Sequence, residues 1–208
     1  MFNIQTLSIP VIALCVLTAF ECNSSDTKKT GSIKEKTDLN YNPFFPVKDG
    51  NFWEYINEAP REESEIFTVK ASDIKKVDEG IRVKLSSFPY ITKETEPKTI
   101  TVKANGEIEI NDYMGASGVI IPSADNFKKG YKWVFGVFGG YINGDAENVK
   151  TEAGDFDNCY YVMMTDGFTF SFEFWYKKDI GIVRWGANRT NPPTIKPIYY
   201  VLKEYKLN

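Results

Sequence analysis

The chain holds three cysteines, at positions 15, 22 and 159, and no histidine. Cys22 has the most telling neighbours. Ile4 to Phe20 is mostly apolar, with Val11 to Leu17 unbroken, whereas Asn23-Ser24-Ser25-Asp26-Thr27-Lys28-Lys29 is polar. An N-terminal apolar stretch that ends in small and polar residues reads as an export signal. A thiol at that junction is placed to be acylated as the first residue of the mature chain. Cys15 would leave a very short apolar stretch. Cleavage after Ala19 would give a secreted form, and an uncleaved anchor is the remaining alternative. Against the anchor, Gln5, Thr6, Ser8 and Pro10 leave little apolar length for a bilayer core of about 30 Å. Cys159 stands near Asp155, Asp157 and Tyr160, which raise a thiol pKa instead of activating it. It reads as a small core residue.

Other chemistry is thinly represented. Without histidine, Ser-His-Asp and Cys-His catalysis, His-based zinc or copper sites and imidazole pH switching are all excluded. Asp155-Phe156-Asp157-Asn158 begins like a calcium loop but lacks the mid-loop Gly, so it reads as an acidic turn. Glu58, Glu62, Glu63 and Glu65 surround Pro60-Arg61 and read as a charged hairpin tip, not a glycosidase pair. Gly115, Gly118, Gly136, Gly139 and Gly140 lack the strand-then-helix context of a phosphate loop. No catalytic residue, metal ligand or cofactor is expected.

One feature is large enough to suggest a ligand. Phe168, Phe170, Phe172, Phe174 and Tyr176 fall on one face of an alternating run, with Thr169, Ser171, Glu173 and Trp175 on the other. Such a face is ordinarily sheet core. In a half-open curved sheet it would line an apolar groove for an acyl chain or hydrophobic peptide. Trp175, Trp185 and Tyr199 are weaker candidates for stacking on sugars.

The elements that position these residues are strands. Residues 65–70, 80–85, 98–103 and 107–110 alternate with period two, as do 168–176, and the chain closes with the strand 198–205. No segment sustains a helical period, and Ser123 to Lys128 is the one short helix expected. The fold class expected is all-β: an antiparallel curved sheet, sandwich or half-open barrel of about ten strands. Lys48-Asp49-Gly50-Asn51-Phe52-Trp53-Glu54-Tyr55 and Lys128-Lys129-Gly130-Tyr131-Lys132-Trp133-Val134-Phe135 share the pattern K-x-G-x-x-W-x-[YF]. Their Gly and Trp are each offset by 80 residues, which suggests an internal duplication. Gly50 and Gly130 are expected to turn with positive φ.

The organisation expected is a signal peptide at 1–21, a lipidated N-terminus and flexible linker at 22–40, and a single β-rich domain at 41–208. Pseudo-repeats would cover about 41–120 and 121–208. Seven of the eighteen residues from 23 to 40 are charged, too polar a segment to offset its ordering entropy. With 25 basic and 28 acidic residues the chain has no surplus to hold a phosphate backbone, so nucleic acid is not expected as a partner.

Leu17-Thr18-Ala19-Phe20-Glu21-Cys22 resembles the signals of bacterial lipoproteins, of the loose spirochaetal kind. Phe45-Pro46-Val47-Lys48-Asp49-Gly50-Asn51-Phe52-Trp53-Glu54-Tyr55 and the later Gly154-Asp155-Phe156-Asp157-Asn158-Cys159 resemble exported bacterial proteins that open F-P-[LV]-x-x-G-x-x-W-x-Y. These resemblances imply a non-enzymatic protein of the cell envelope, tethered to a membrane through Cys22. They point to the outer membrane, on its periplasmic or surface face, and to a binding or structural role toward an envelope protein. The alternative is a carrier of hydrophobic ligands in the groove lined by Phe168 to Tyr176.

Overall fold

Period-two alternation is realised as twelve strands in the computed structural model. It describes residues 41–59, 65–89, 96–189 and 197–208. The leader, Cys22, the linker, Glu62, Glu63 and Asn191-Pro192-Pro193 lie outside the described residues. The strands are β1 (Phe52–Asn57), β2 (Ile66–Val77), β3 (Gly80–Leu85), β4 (Lys98–Lys103), β5 (Ile108–Tyr113), β6 (Ala116–Ile121), β7 (Lys132–Phe135), β8 (Phe138–Thr151), β9 (Gly154–Thr165), β10 (Phe170–Lys177), β11 (Gly181–Arg189) and β12 (Ile198–Lys206). One 3-10 turn, Ala124–Asn126, stands where the short helix was expected. Gly50 and Gly130 have φ of +79° and +88° and turn the chain into β1 and toward β7. Each K-x-G-x-x-W-x-[YF] segment thus opens a run of six strands.

All pairings are antiparallel, and strands pair with their sequence neighbours. β1 also pairs with β12, so the sheet order runs β6 to β1 and then β12 to β7. The exception is the edge pair, β6 and β7, which share no ladder among the described residues. They nevertheless touch. A Cβ on Gly136 would run into Ala116, and one on Gly118 would lie 4.0 Å from the Phe135 ring. The sheet is therefore curled almost shut as a barrel.

The interior is filled by alternate strand residues and by a plug from the N-terminal segment. Trp53, Tyr55, Val69, Val83, Ile100, Ile110, Ile142 and Leu202 are fully buried, and so is Phe45. Phe45 stacks on Trp53 at 5.1 Å and meets Phe88 edge-on at 5.8 Å. Phe44 stacks on Phe127 at 3.8 Å. Asn42 pins this plug. Its side-chain amide donates to the carbonyls of Gly106 (2.7 Å) and Pro122 (2.9 Å), and its Oδ1 accepts the Phe44 N–H at 2.9 Å.

Antiparallel alternation places successive connections at opposite ends of the barrel. Tyr41 enters at the end that carries the β4–β5 and β10–β11 turns, where its hydroxyl donates to Asp179 at 3.1 Å. The β5–β6, β7–β8 and β9–β10 connections lie at the far end. The eight residues of β10 separate the two ends by roughly 25 Å.

Asn42→Ala removes the bonds to two buried carbonyls and a buried N–H, and is expected to cost about 2–3 kcal/mol, read as a lowered urea midpoint. Gly186 lies flat beneath Tyr199: an added Cβ would come within 2.6 Å of Tyr199 Cε1 and 2.7 Å of the Ile198 carbonyl. Gly186→Ala is expected to destabilise by about 1–3 kcal/mol. Gly144→Ala, with nothing within 4 Å of the added carbon, should stay within about 0.5 kcal/mol.

Candidate functional site

The aromatic run divides in the structure. Phe172, Phe174 and Tyr176 are 3%, 2% and 3% exposed and form part of the packed interior, while Phe170 is half-buried. Phe168 does not continue this face. The strand begins only at Phe170, because the Asp166 carboxylate accepts the N–H groups of Phe168, Thr169 and Phe170 at 2.9, 2.8 and 3.0 Å. Those bonds turn the chain and leave Phe168 81% exposed at the far end. They also hold the Asp166 carboxyl below its ordinary pKa. Within β10 the face is covered by a row of neighbours: Phe174 opposes Val162 on one side and Trp185 on the other, and Trp185 opposes Tyr200. Trp185 and Tyr200 stack at 4.4 Å and 9°. An acyl chain along this face would have to displace packed rings.

On the outer face a polar and aromatic cluster surrounds Arg184. Its guanidinium lies 4.6 Å from the Trp175 ring and 4.4 Å from the Tyr199 ring, and donates to Glu58 at 2.7 Å. The Trp175 indole N–H donates to Glu147, and the Tyr199 hydroxyl to Glu173 at 2.7 Å. Burial, helped by the two carboxylates, pushes the Tyr161 hydroxyl up to about 12. With Arg184 and Tyr161 against its faces and only 6% exposure, Trp175 presents no ring to a sugar. Trp185 is inside the barrel. The cluster ties β1, β8, β9, β10, β11 and β12 together and has the character of structure.

The far end differs. A cleft of about 300 Å³ is lined by Phe88, Glu96, Lys98, Asp112, Tyr113 and Met114. Asp112 and Met114 both hold positive φ, +50° and +58°, a conformation that non-glycine residues keep only where surrounding structure enforces it. The Asp112 N–H donates to Ser117 at 3.1 Å, and the Tyr113 hydroxyl donates to the Pro89 carbonyl. Beside the cleft stands the β7–β8 turn, where Val137 is 79% exposed. Gly139 pairs with Thr165, so the Phe168 loop adjoins that turn in register. Sequence reasoning missed this cleft. The glycine after Asp112-Tyr113-Met114 marks a turn, but no motif joins it to Phe88 and Lys98.

Asp155, Asp157 and Asn158 lie within strand β9 and not in an acidic turn, because the chain reverses earlier, between Thr151 and Gly154. Asp157 pairs with Lys177 at 2.7 Å, which lowers its pKa. Glu58 is bound by Arg184, and Glu65 accepts the Tyr200 hydroxyl at 2.9 Å. Cys159 is fully buried, and burial is the main cause that pushes its thiol up to about 11. A folded-state pKa above the unfolded value near 9 means the fold loses this contribution as pH rises from about 9 toward 11. Ellman's reagent is expected to leave native Cys159 unlabelled at pH 8 and to label it fully in denaturant. Rapid native labelling would contradict this account of the thiol.

Among solved structures, a Bacteroides fragilis protein provisionally described as exported and as having a YmcC-like fold superposes with a TM-score of 0.51. The match has 15% identity and covers 80% of this chain and 100% of the other. A Parabacteroides distasonis protein provisionally described as a lipoprotein gives a TM-score of 0.49 at 18% identity, over 80% of this chain and 99% of its own. No family model matches the chain, and no curated protein matches it. At 15% identity the first likeness shows a shared fold.

Proposed function

We propose that the protein is an exported, lipid-anchored component of the cell envelope, acylated at Cys22, that acts by binding and not by catalysis. The observation that carries this reading is the junction itself: an apolar leader, a thiol at its end, and then eighteen residues, 23–40, of which only Ile33 and Leu39 are large and apolar. A tethered domain needs that order of parts. The likeness to a fold also found in a provisionally exported protein agrees with this location. We place the anchor in the outer membrane by resemblance to spirochaetal lipoprotein signals.

A binding role suits the distribution of polar groups. On the outer face Glu58, Glu147 and Glu173 are engaged by Arg184, Trp175 and Tyr199, and the interior is packed. Tyr41 lies at one end of the barrel, and the exposed Val137 and Phe168 lie at the other.

The native chain is expected to partition into the detergent phase and to carry added acyl mass on Cys22, whereas Cys22→Ala should remain in the aqueous phase. Continued partitioning of the variant, or a mature terminus without acyl mass, would remove the anchor from Cys22.

A further inference from the structure

We infer that the outer face of β2 and β3 is a docking surface for an anionic phospholipid bilayer, whose headgroup phosphates are met by Lys70, Arg82 and Lys84. This rests on the Cys22 anchor proposed above and names the wall of the domain that meets the membrane.

Period two sorts these strands. Val69, Ala71, Val83 and Leu85 are fully buried, so Lys70, Arg82 and Lys84 point outward, and all three are exposed. Ala71 opposes Leu85 and Ser72 opposes Lys84, which sets Lys70 diagonal to Lys84. Diagonal neighbours, and next-but-one residues along a strand, each lie about 7 Å apart, so the three cations form one continuous row. No carboxylate stands directly across from them. Phe52 opposes Lys70, Thr99 opposes Lys84 and Thr101 opposes Arg82. Lys75, on the other side of Arg82, adds a fourth cation, held by Asp73 at 2.9 Å. Of the carboxylates around the row, Glu54 is bound by Lys203 at 2.9 Å, and Glu79 and Glu109 by Lys103 at 3.8 and 3.0 Å. Lys70, Arg82 and Lys84 form no ion pair among the described residues.

A chain of net charge −3 thus presents a local row of unpaired cations. Like charges side by side on a sheet repel, and an anionic partner relieves that cost. The wall is the outside of a barrel, so the cations offer charge to a surface and do not enclose a ligand. Their spacing is close to that of neighbouring lipid headgroups. The tether favours a bilayer over a soluble polyanion. The chain from Cys22 to Tyr41 reaches at most about 65 Å however it is arranged, which keeps the domain concentrated near the membrane that holds Cys22. Each cation close to an anionic bilayer contributes about fivefold in affinity, enough for three to hold a tethered wall in place.

Lysine acetylation by a membrane-impermeant N-hydroxysuccinimide ester, read residue by residue in mass spectra, tests this on the native mature chain bound to vesicles. Vesicles of phosphatidylcholine alone are compared with an equal mixture of phosphatidylcholine and phosphatidylglycerol. Lys70 and Lys84 are expected to react about three- to fivefold more slowly on the anionic vesicles. Lys129 and Lys150, exposed on other elements, should react alike on both. The protection should vanish in about 1 M salt, where the screening length falls to about 3 Å. Arg82→Gln with Lys84→Gln, both at exposed positions, should return the Lys70 rate to its value on phosphatidylcholine with an unchanged urea midpoint. Equal rates on the two vesicles, or protection that survives the double substitution, would overturn the docking face. Equal protection of Lys129 and Lys150 would overturn its assignment to this wall. Protection by dextran sulfate in neutral micelles as strong as that by anionic vesicles would reassign the row to a soluble polyanion. Retention on phosphatidylcholine and acyl mass on Cys22 report the anchor, and the difference between the two vesicles reports the face, so the two can fail separately.

Discussion

The barrel depends on a plug that its own strands do not supply. Short strands enclose a space that side chains from the wall alone do not fill, and Phe45 enters it against Trp53 and Phe88. Aromatic rings do this efficiently, since each buries a large area and stacks on its neighbours. The plug must also be held, and Asn42 holds it. One buried amide reaches Gly106 in the β4–β5 turn and Pro122 after β6, while the Pro43 carbonyl accepts the Asp179 N–H at 2.7 Å in the β10–β11 turn. A single segment thus pins both six-strand runs. The β1–β12 ladder joins those runs on one side, and only side-chain contact joins β6 to β7 on the other. Buried polar handles complete the wall: Trp53 Nε1 donates to the Ile180 carbonyl at 2.7 Å and the Tyr55 hydroxyl to that of Ile182 at 2.9 Å. Each such group would cost stability if left unpaired. The F-P-x-x-x-G-x-x-W-x-Y segment therefore has a structural meaning: it supplies plug, turn and first strand in sequence.

The sheet around β10 is packed on both faces, and this accounts for the aromatic richness of the second half. Inside runs the row Ile142, Val162, Phe174, Trp185 and Tyr200. Outside, the β8–β9 hairpin bends through register shifts in β8, and the Ala153 N–H reaches the Leu202 carbonyl at 3.2 Å. Under it lie Val149, Phe156, Cys159 and Trp175, all buried. A strand covered on both sides does not alternate cleanly between apolar and polar. Trp175 breaks the pattern for that reason.

Period two made most of the strands legible, because one face of each packs inward and the other meets water. β6 and the start of β8 were not legible. Gly118 in one and Gly139 and Gly140 in the other resemble turn residues, yet they lie within strands. At Gly140 the reason is close approach, since an added Cβ would run into the Trp133 ring. Phe168 was misread for a different reason. A run of alternating aromatics carries no mark of where pairing starts, and the boundary is set by the Asp166 side chain acting on backbone N–H groups. The cleft was invisible in principle. Its lining comes from the β3–β4 and β5–β6 connections, which only the curl of the sheet brings together.

The two ends of the barrel carry different burdens. At the near end, turns are occupied by the plug: Gly106, Pro122 and Asp179 each bind a backbone or side-chain group of residues 41–43. Changes there would loosen the core, so this end is constrained by folding. Among the described residues, the tips of the β7–β8 and β9–β10 connections bear no such duty, whereas Phe88 in the β3–β4 connection packs on Phe45. Val137 and Phe168 bury little of their own surface, yet the Phe168 loop is stiffened by four hydrogen bonds from its N–H groups to side chains. Order in an exposed apolar loop has an entropic cost that the fold recovers nothing for through core burial. The stiffening of that loop is therefore local, set by the Asp166 and Thr165 side chains acting on neighbouring N–H groups and not by the core.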